Sequence, residues 1–246
     1  MSLFRLTRDV TPHLYRHLWR ANAAGASVGE ETLTDLFAID LKLRSKKLGV
    51  DTRIIQCNTN LEKQSGADFL WYIGSEKYRE WIVFFVQAKK SKFLTGKCKL
   101  AHNYRNPIPV GSRRTKIVRQ IDNLVFKAEI IKATPLYCFY NFFEAPFLGG
   151  SIPYYLWKRK SGLRFPIYLI RPEEFSFTYV KAEHVSRLLS KKRGKNASQN
   201  RQTFKFEELK SFPFYSLFAN LHTKDTSKTI TKRLYSNSML TYYKKL

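Results

Sequence analysis

Asp68, Gln87 and Lys89 are the residues of this chain whose types and spacing could do chemistry. Asp68 sits at the head of Gly66-Ala67-Asp68-Phe69-Leu70-Trp71-Tyr72-Ile73-Gly74. A polar turn, Ser75 to Arg79, leads into Glu80-Trp81-Ile82-Val83-Phe84-Phe85-Val86-Gln87-Ala88-Lys89-Lys90. Two β-branched and aromatic runs about a short polar connection predict a strand, a turn and a strand. In such a hairpin the start of one strand lies beside the end of the other. Asp68 is thereby placed near Gln87 and Lys89, which share a face because they stand at i and i+2. A carboxylate, an amide oxygen and an ammonium at one end of a sheet suit metal-assisted hydrolysis of a phosphodiester. Asp68 would be a hard oxygen ligand for Mg²⁺ or Mn²⁺, and the Gln87 side-chain carbonyl a second. Lys89 would orient or help deprotonate the attacking water, or neutralise charge growing on the phosphate. The bland alternative makes Asp68 a turn residue and Lys89, Lys90 and Lys92 a solvated strand end. Asp68, Gln87 and Lys89, however, also meet the geometric requirements of a site.

Helices and further strands must hold that hairpin in place. Val10 to Ala24 predicts a helix with Leu14 and Leu18 on one side. It carries His13 and His17 at i, i+4, a spacing that can bind a metal. No acidic partner accompanies them, so they read as solvated or phosphate-facing. After the Ala/Gly/Ser stretch from Ala21 to Gly29, a second helix is predicted from about Gly29 to Lys46, with Leu33, Phe37 and Leu41 recurring at i, i+4, i+8. At 100° per residue Glu30 falls on that stripe and Glu31 to one side, though carboxylates in a first turn are favoured by the helix dipole whatever their function. Asp51 to Asn58 reads as a strand, and Thr59 to Ser65 as a polar connection containing Glu62. Arg114 to Lys132 predicts a helix with Ile117, Ile121, Leu124 and Ala128 on one face and Gln120 on its flank. Leu136 to Asn141 is the short apolar run of a buried strand. Strand, helix, strand implies a right-handed crossover, with the new strand parallel to the one bearing Gln87 and Lys89.

A carboxylate, a hairpin and then an acid-x-Lys triplet resembles the PD-(D/E)XK nuclease superfamily, with Gln87 in place of the usual acid. The Gln-x-Lys form looks like that of Mrr-type restriction enzymes and some defence nucleases. The predicted order of helix, three strands, helix and strand resembles the αβββαβ core of the same superfamily. The resemblance covers about the first 145 residues. It implies an α/β fold: a restriction-endonuclease-like core over 1–145, its mixed sheet flanked by helices, and a C-terminal α/β extension over 146–246. It further implies a Mg²⁺-dependent deoxyribonuclease, with a role in restriction or anti-phage defence. In that superfamily the helix before the sheet supplies a glutamate to the metal. Glu30 or Glu31 would do so here, Glu30 being favoured by periodicity and Glu62 standing as a secondary candidate. A polar residue of the second core helix often lies near the phosphate, which points to Gln120. Such enzymes often work as dimers, so a homodimer or a partner protein is an open expectation.

Charge supports a polyanionic partner. The chain has 246 residues, with 44 Lys+Arg against 19 Asp+Glu, a formal net charge of +25. Nucleic acid, double-stranded DNA first, is the expected partner. Lys90, Lys92, Arg113, Arg114 and Lys116 crowd the stretch after the Gln-x-Lys triplet, which reads as an extended loop around Pro107 and Pro109. Ser190 to Gln202, with Lys191, Lys192 and Arg193, is polar and cationic enough to predict a flexible phosphate-contacting arm. No apolar run reaches the ~18 residues of a membrane span, and no signal peptide is visible. Cys57, Cys98 and Cys138 are isolated and fit reduced thiols in a cytoplasmic protein. In the C-terminal part, Pro166 to Arg171 predicts a strand, and Glu173 to Leu189 a short strand or loop and then a helix. Phe204 to Leu221 is apolar enough to rejoin the core, and Thr223 to Leu246 predicts a peripheral helix. A nucleic-acid-binding module without catalysis and a basic subunit of a larger complex are the other classes the composition allows.

Overall fold

The structure is a computed structural model that describes residues 3–75, 80–92, 97–100, 102–107, 115–142, 176–193, 203–218 and 242–244. Its centre is β3 (Glu80–Lys90), in which residues 81–88 are buried on both faces, as a strand between two helical layers must be. β1 (Asp51–Gln56) and β2 (Phe69–Ser75) form an antiparallel meander with β3, Phe69 lying opposite Val86. β7 (Thr134–Tyr140) follows α4 (Gln120–Ile130) and runs parallel to β3, with Tyr137 opposite Gln87. Helix, three sheet strands, helix, strand is the order along this sheet, with a short helix inserted after β1 and further short strands before α4, and the mixed sheet is flanked by helices.

Alternation along β3 divides the core in two. Ile82, Phe84, Val86 and Ala88 face a cluster built with α1 (Leu3–Ala23) and α2 (Glu30–Leu48). Leu33, Phe37 and Leu41, the predicted stripe, are buried there. The Phe37 ring lies 4.6 to 6.3 Å from the rings of Phe69, Trp71, Phe177 and Phe214. Val83 and Phe85 face the second cluster with Ile121, Leu124 and Ala128 of α4.

Several boundaries differ from expectation for local reasons. α1 begins at Leu3 rather than Val10, carrying Pro12 in its interior. An interior proline costs a helix about 3 kcal/mol; complete burial of Leu3 and Leu6 offsets it. Thr59–Ser65 is not a loop but a short helix, α3, because Asn58 caps it by accepting from the Leu61 N–H at 3.0 Å. The basic stretch contains strands: β4 (Lys97–Lys99), and β5 (Asn103–Pro107) paired antiparallel with β6 (Thr115–Arg119). The predicted helix from Arg114 therefore starts at Gln120. Ile117-Val118 reads equally well as strand, and there β-propensity and hairpin pairing win.

Described residues beyond 146 extend the same sheet. β8 (Phe177–Lys181) pairs antiparallel with β7, and α5 (Ala182–Arg193) packs on α4 and β7. β9 (Thr203–Lys205) pairs β4, and β10 (Phe212–Pro213) pairs β8 after the short helix α6 (Phe206–Leu209). A 3-10 turn, Phe214–Phe218, then buries Phe214 and Phe218 in the first core cluster. Ser190 to Arg193, expected in a flexible arm, are the last turn of α5, where cations complement the helix dipole. β11 (Tyr242–Lys244) is a strand against β3 rather than part of a helix. The predicted strand over 166–171, the arm over 194–202 and the rest of the predicted C-terminal helix lie outside the described residues. Among the described residues no helix is long and apolar enough to cross a membrane.

Candidate functional site

Asp68 owes its position to Gly66. Gly66 ends α3 with φ +72°, in the left-handed region that favours glycine. A Cβ there would sit 2.7 Å from the Leu124 backbone nitrogen and closer still to the Gln120 carbonyl oxygen. The chain thus turns hard against the start of α4 and enters β2 three residues later. The Asp68 N–H donates to the Val86 carbonyl at 2.8 Å, and its carbonyl accepts from the Cys57 N–H at 2.8 Å. The residue is locked between β1 and β3.

Its carboxylate meets the predicted partners. Asp68 Oδ2 accepts from the Ala88 N–H at 2.6 Å and from Gln87 Nε2 at 2.6 Å. Gln87 is fully buried, and its Nε2 also donates to the Ala88 carbonyl at 3.2 Å. Two acceptors fix the amide's orientation and leave Gln87 Oε1 buried with no hydrogen-bond partner. Burial pushes the Asp68 carboxyl up to about 7; the charges of Glu30 and Glu62 push the same way, against Lys89 and the Ala88 N–H.

Glu30 closes the site from the first turn of α2. Its Oε1 accepts from Lys89 Nζ at 3.0 Å and its Oε2 from the Lys90 N–H at 2.8 Å. One carboxylate therefore fastens the helix start to the strand end and fixes the ammonium of a side chain that is only 14% exposed. At Glu30, one of the expected metal ligands, both oxygens are engaged with β3. Glu31 is exposed, 100° round the helix, and does not join the cluster. Glu62 does lie nearby: its Oε1 accepts from Gln120 Nε2 at 3.1 Å. Gln120 is buried at the start of α4, and its role here is to tie α4 to α3.

The other sequence-predicted residues are dispersed. Lys90 Nζ donates to the Val28 carbonyl at 2.5 Å, beside the site. Lys92 and Lys191 are exposed. Lys116 lies on β6 and Lys192 and Arg193 in the last turn of α5, with side chains outside the described atoms. Arg113 and Arg114 lie outside the described residues. His13 is not phosphate-facing: Asp40 sits 3.5 Å from its Nδ1 and Arg44 contacts its other nitrogen, both from α2.

Two residues join that sequence reasoning passed over. Tyr137 is fully buried opposite Gln87, with its hydroxyl unpartnered. Alternation along β7 against the predicted parallel pairing would have found it. His102 stands where the charges of Lys89, Glu62 and Glu30 reach its ring, and its carbonyl accepts from the Gln120 N–H at 2.9 Å. It gave no signal beyond its place in the basic stretch. Cys98 also lies within reach of Glu30 and Lys89, but burial pushes its thiol up to about 12, and a protonated thiol is no nucleophile.

Among the described residues no group of three or more His, Cys, Asp or Glu is placed to hold a metal. The donor set nonetheless fits one hard divalent cation. A carboxylate that burial disfavours as an anion and a buried amide oxygen with no hydrogen-bond partner are hard oxygen donors, and Mg²⁺ keeps several waters by preference.

The fold and cluster thus define a mixed α/β protein with a polar site at the carboxyl end of its central strand. The chain belongs to a family of unknown function, DUF6615, whose sequence profile matches residues 5–241. No curated protein matches it.

Proposed function

We propose that this chain is a Mg²⁺-dependent nuclease hydrolysing phosphodiester bonds in DNA. The observation that carries the reading is the convergence of Glu30, Asp68, Gln87 and Lys89 at the carboxyl end of β3 within an αβββαβ order. These residues and that order resemble the PD-(D/E)XK superfamily in its Gln-x-Lys form, and a role in restriction or anti-phage defence is part of that resemblance.

Asp68 and the Gln87 carbonyl would hold the cation. When bound, it supplies charge neutralisation on the phosphate and a more acidic water. Lys89 does the rest of the electrostatic work. Glu30 holds its ammonium in one orientation, so it faces the reacting phosphate without first reorganising. The Ala88 N–H and Gln87 Nε2 fix Asp68 Oδ2, leaving the carboxylate one direction in which to act. The excess of 44 cationic over 19 anionic residues provides affinity for the backbone.

One observation favours a second reading. A site in which, among the described residues, no three or more His, Cys, Asp or Glu are placed to hold a metal is what a module that binds nucleic acid without cutting it would retain. Incubating plasmid and linear DNA with the purified protein in Mg²⁺ or Mn²⁺, beside Asp68→Ala and Lys89→Ala, separates the two. The nuclease reading expects cutting by wild type and a loss of at least about a hundredfold in each variant. DNA bound equally by all three and cut by none supports the binding module instead.

A further inference from the structure

Beside the site lies a pocket of about 210 Å³. It opens at the carboxyl ends of the parallel strands β3 and β7, where ligands of open α/β sheets bind. Leu18, Val28 and Phe142 supply apolar wall; Asn22, Ser27 and Ser91 supply polar groups. Lys90 belongs to both places. Its backbone N–H holds Glu30, while its ammonium donates to the carbonyl of Val28, which lines the pocket as Lys90 does. An ammonium has three N–H donors, so a phosphate at the pocket mouth could share it.

The rim is built rather than incidental. α1 ends with Gly25 at φ +67°, the Gly25 N–H donating to the Asn22 carbonyl at 3.0 Å and the Ala26 N–H to the Ala21 carbonyl at 2.8 Å. This paired closure is the Schellman motif, and it fixes three residues of the pocket wall. The Tyr15 ring, 5.2 Å from that of Phe142, steadies the inner wall.

We infer that this pocket takes one unpaired nucleobase next to the phosphate held at the catalytic site, so that the substrate presents a single-stranded or extruded nucleotide there. The inference rests on the nuclease reading for what the neighbouring site does. Size, chemistry and charge support it. The volume is below the ~300 Å³ that drug-sized ligands need and too small for a peptide or a duplex. An aromatic face with hydroxyl and amide groups suits a planar ring with a hydrogen-bonding edge. The net charge of +25 favours a ligand joined to phosphates.

The test is binding in EDTA, by fluorescence anisotropy. The probes are a short single strand, the same strand without bases, its perfect duplex, and a duplex carrying one bulged nucleotide. Ala26→Trp, a change at an exposed rim position, fills the pocket, with thermal unfolding as the check on folding. Wild type should bind the single strand or the bulged duplex roughly ten- to a hundredfold tighter than the base-free strand. Ala26→Trp should erase that margin and leave affinity for the perfect duplex within a few-fold. Preference for the single strand alone assigns the base to single-stranded substrate; preference shared with the bulged duplex assigns it to extruded nucleotides. Equal affinity for strands with and without bases, or a margin untouched by Ala26→Trp, overturns the proposal. It does so whether or not the wild type cuts DNA in Mg²⁺, so the cleavage reading fails or stands on its own experiment.

Discussion

Replacing Asp68 by asparagine should make the protein more stable, but only at the pH values where the carboxylate would be charged. The carboxyl stands at about 7 in the folded chain, against about 3.9 when unfolded. A raised value means that the native state holds the proton more tightly. Its stabilising effect is complete below the unfolded value, is lost as pH rises, and is gone above about 7. A difference of roughly three units at ~1.4 kcal/mol each sets a ceiling of about 4 kcal/mol. The side chain keeps some solvent contact, so about half of that, ~2 kcal/mol, is the figure to expect. Asparagine keeps an oxygen to accept from the Ala88 N–H and Gln87 Nε2 and removes the charge. Urea unfolding in EDTA would compare the two proteins between about pH 5 and about pH 8.5. The variant's advantage should grow by roughly 1–2 kcal/mol over that range and level off above neutrality. Mg²⁺ or Mn²⁺ at the upper pH should then stabilise the wild type and leave the variant unchanged. An advantage that is flat with pH would refute the raised Asp68 carboxyl, and with it the main physical reason for a cation at this position.

Glu30→Gln keeps an acceptor for the Lys90 N–H but loses the charge that holds Lys89; kcat for DNA cleavage should fall about tenfold with KM nearly unchanged. Lys89→Ala should abolish cleavage while leaving metal-free DNA affinity within a few-fold, and a large loss of affinity in a filter-binding assay would make Lys89 a binding residue instead. Gly66→Ala combines a left-handed backbone with a methyl forced against α4; a loss of about 2–5 kcal/mol in urea unfolding is expected, and a neutral result would show that α3 can shift away from α4. DNA affinity should fall steeply with salt, by about three decades or more between about 50 and 200 mM if some six phosphates are contacted, and a shallow slope would assign the charge to another partner.

The parts of this fold legible in the sequence are those where one pattern has one reading. Glu80 to Lys90 is strand by residue type and continuously apolar from Trp81 to Val86, so its central place followed. The Leu33/Phe37/Leu41 stripe named both a helix and its buried face. Where two patterns coincide, the local reading failed. Ile117 and Ile121 stand four apart, as on a helix, yet Ile117 belongs to a strand and Ile121 to the helix after it. Thr59 to Ser65 has no apolar stripe and buries no residue; its helix exists through the Asn58 cap and the Gly66 stop, two residues that read as turn when met in a polar stretch. Likewise, Pro12 marks a helix start by local rule, and only the burial of Leu3 and Leu6 against the sheet carries α1 past it.

The site divides along the same physical line. Asp68, Gln87 and Lys89 were legible because hairpin geometry dictates which residues meet, and the register Phe69 to Val86 places Asp68 opposite Gln87. What each residue does there was not legible, since partners from other elements decide it. Periodicity pointed Glu30 inward, but only the packing of α2 on the end of β3 shows that both its oxygens are taken by Lys89 and Lys90. That changes the chemistry assigned to it: a carboxylate bound to an ammonium and a backbone N–H orients the cation beside it and is a poor competitor for a metal. The acidic share of any metal site then falls on Asp68, the one carboxylate of the cluster that burial holds near neutrality. Metal affinity should accordingly be weak below about pH 7 and rise about tenfold per unit as the proton is displaced. Calorimetric titration of Mn²⁺ into the wild type and Glu30→Gln tests this division of labour: equal affinity for the two proteins is expected, and a large loss in Glu30→Gln would return Glu30 to the metal.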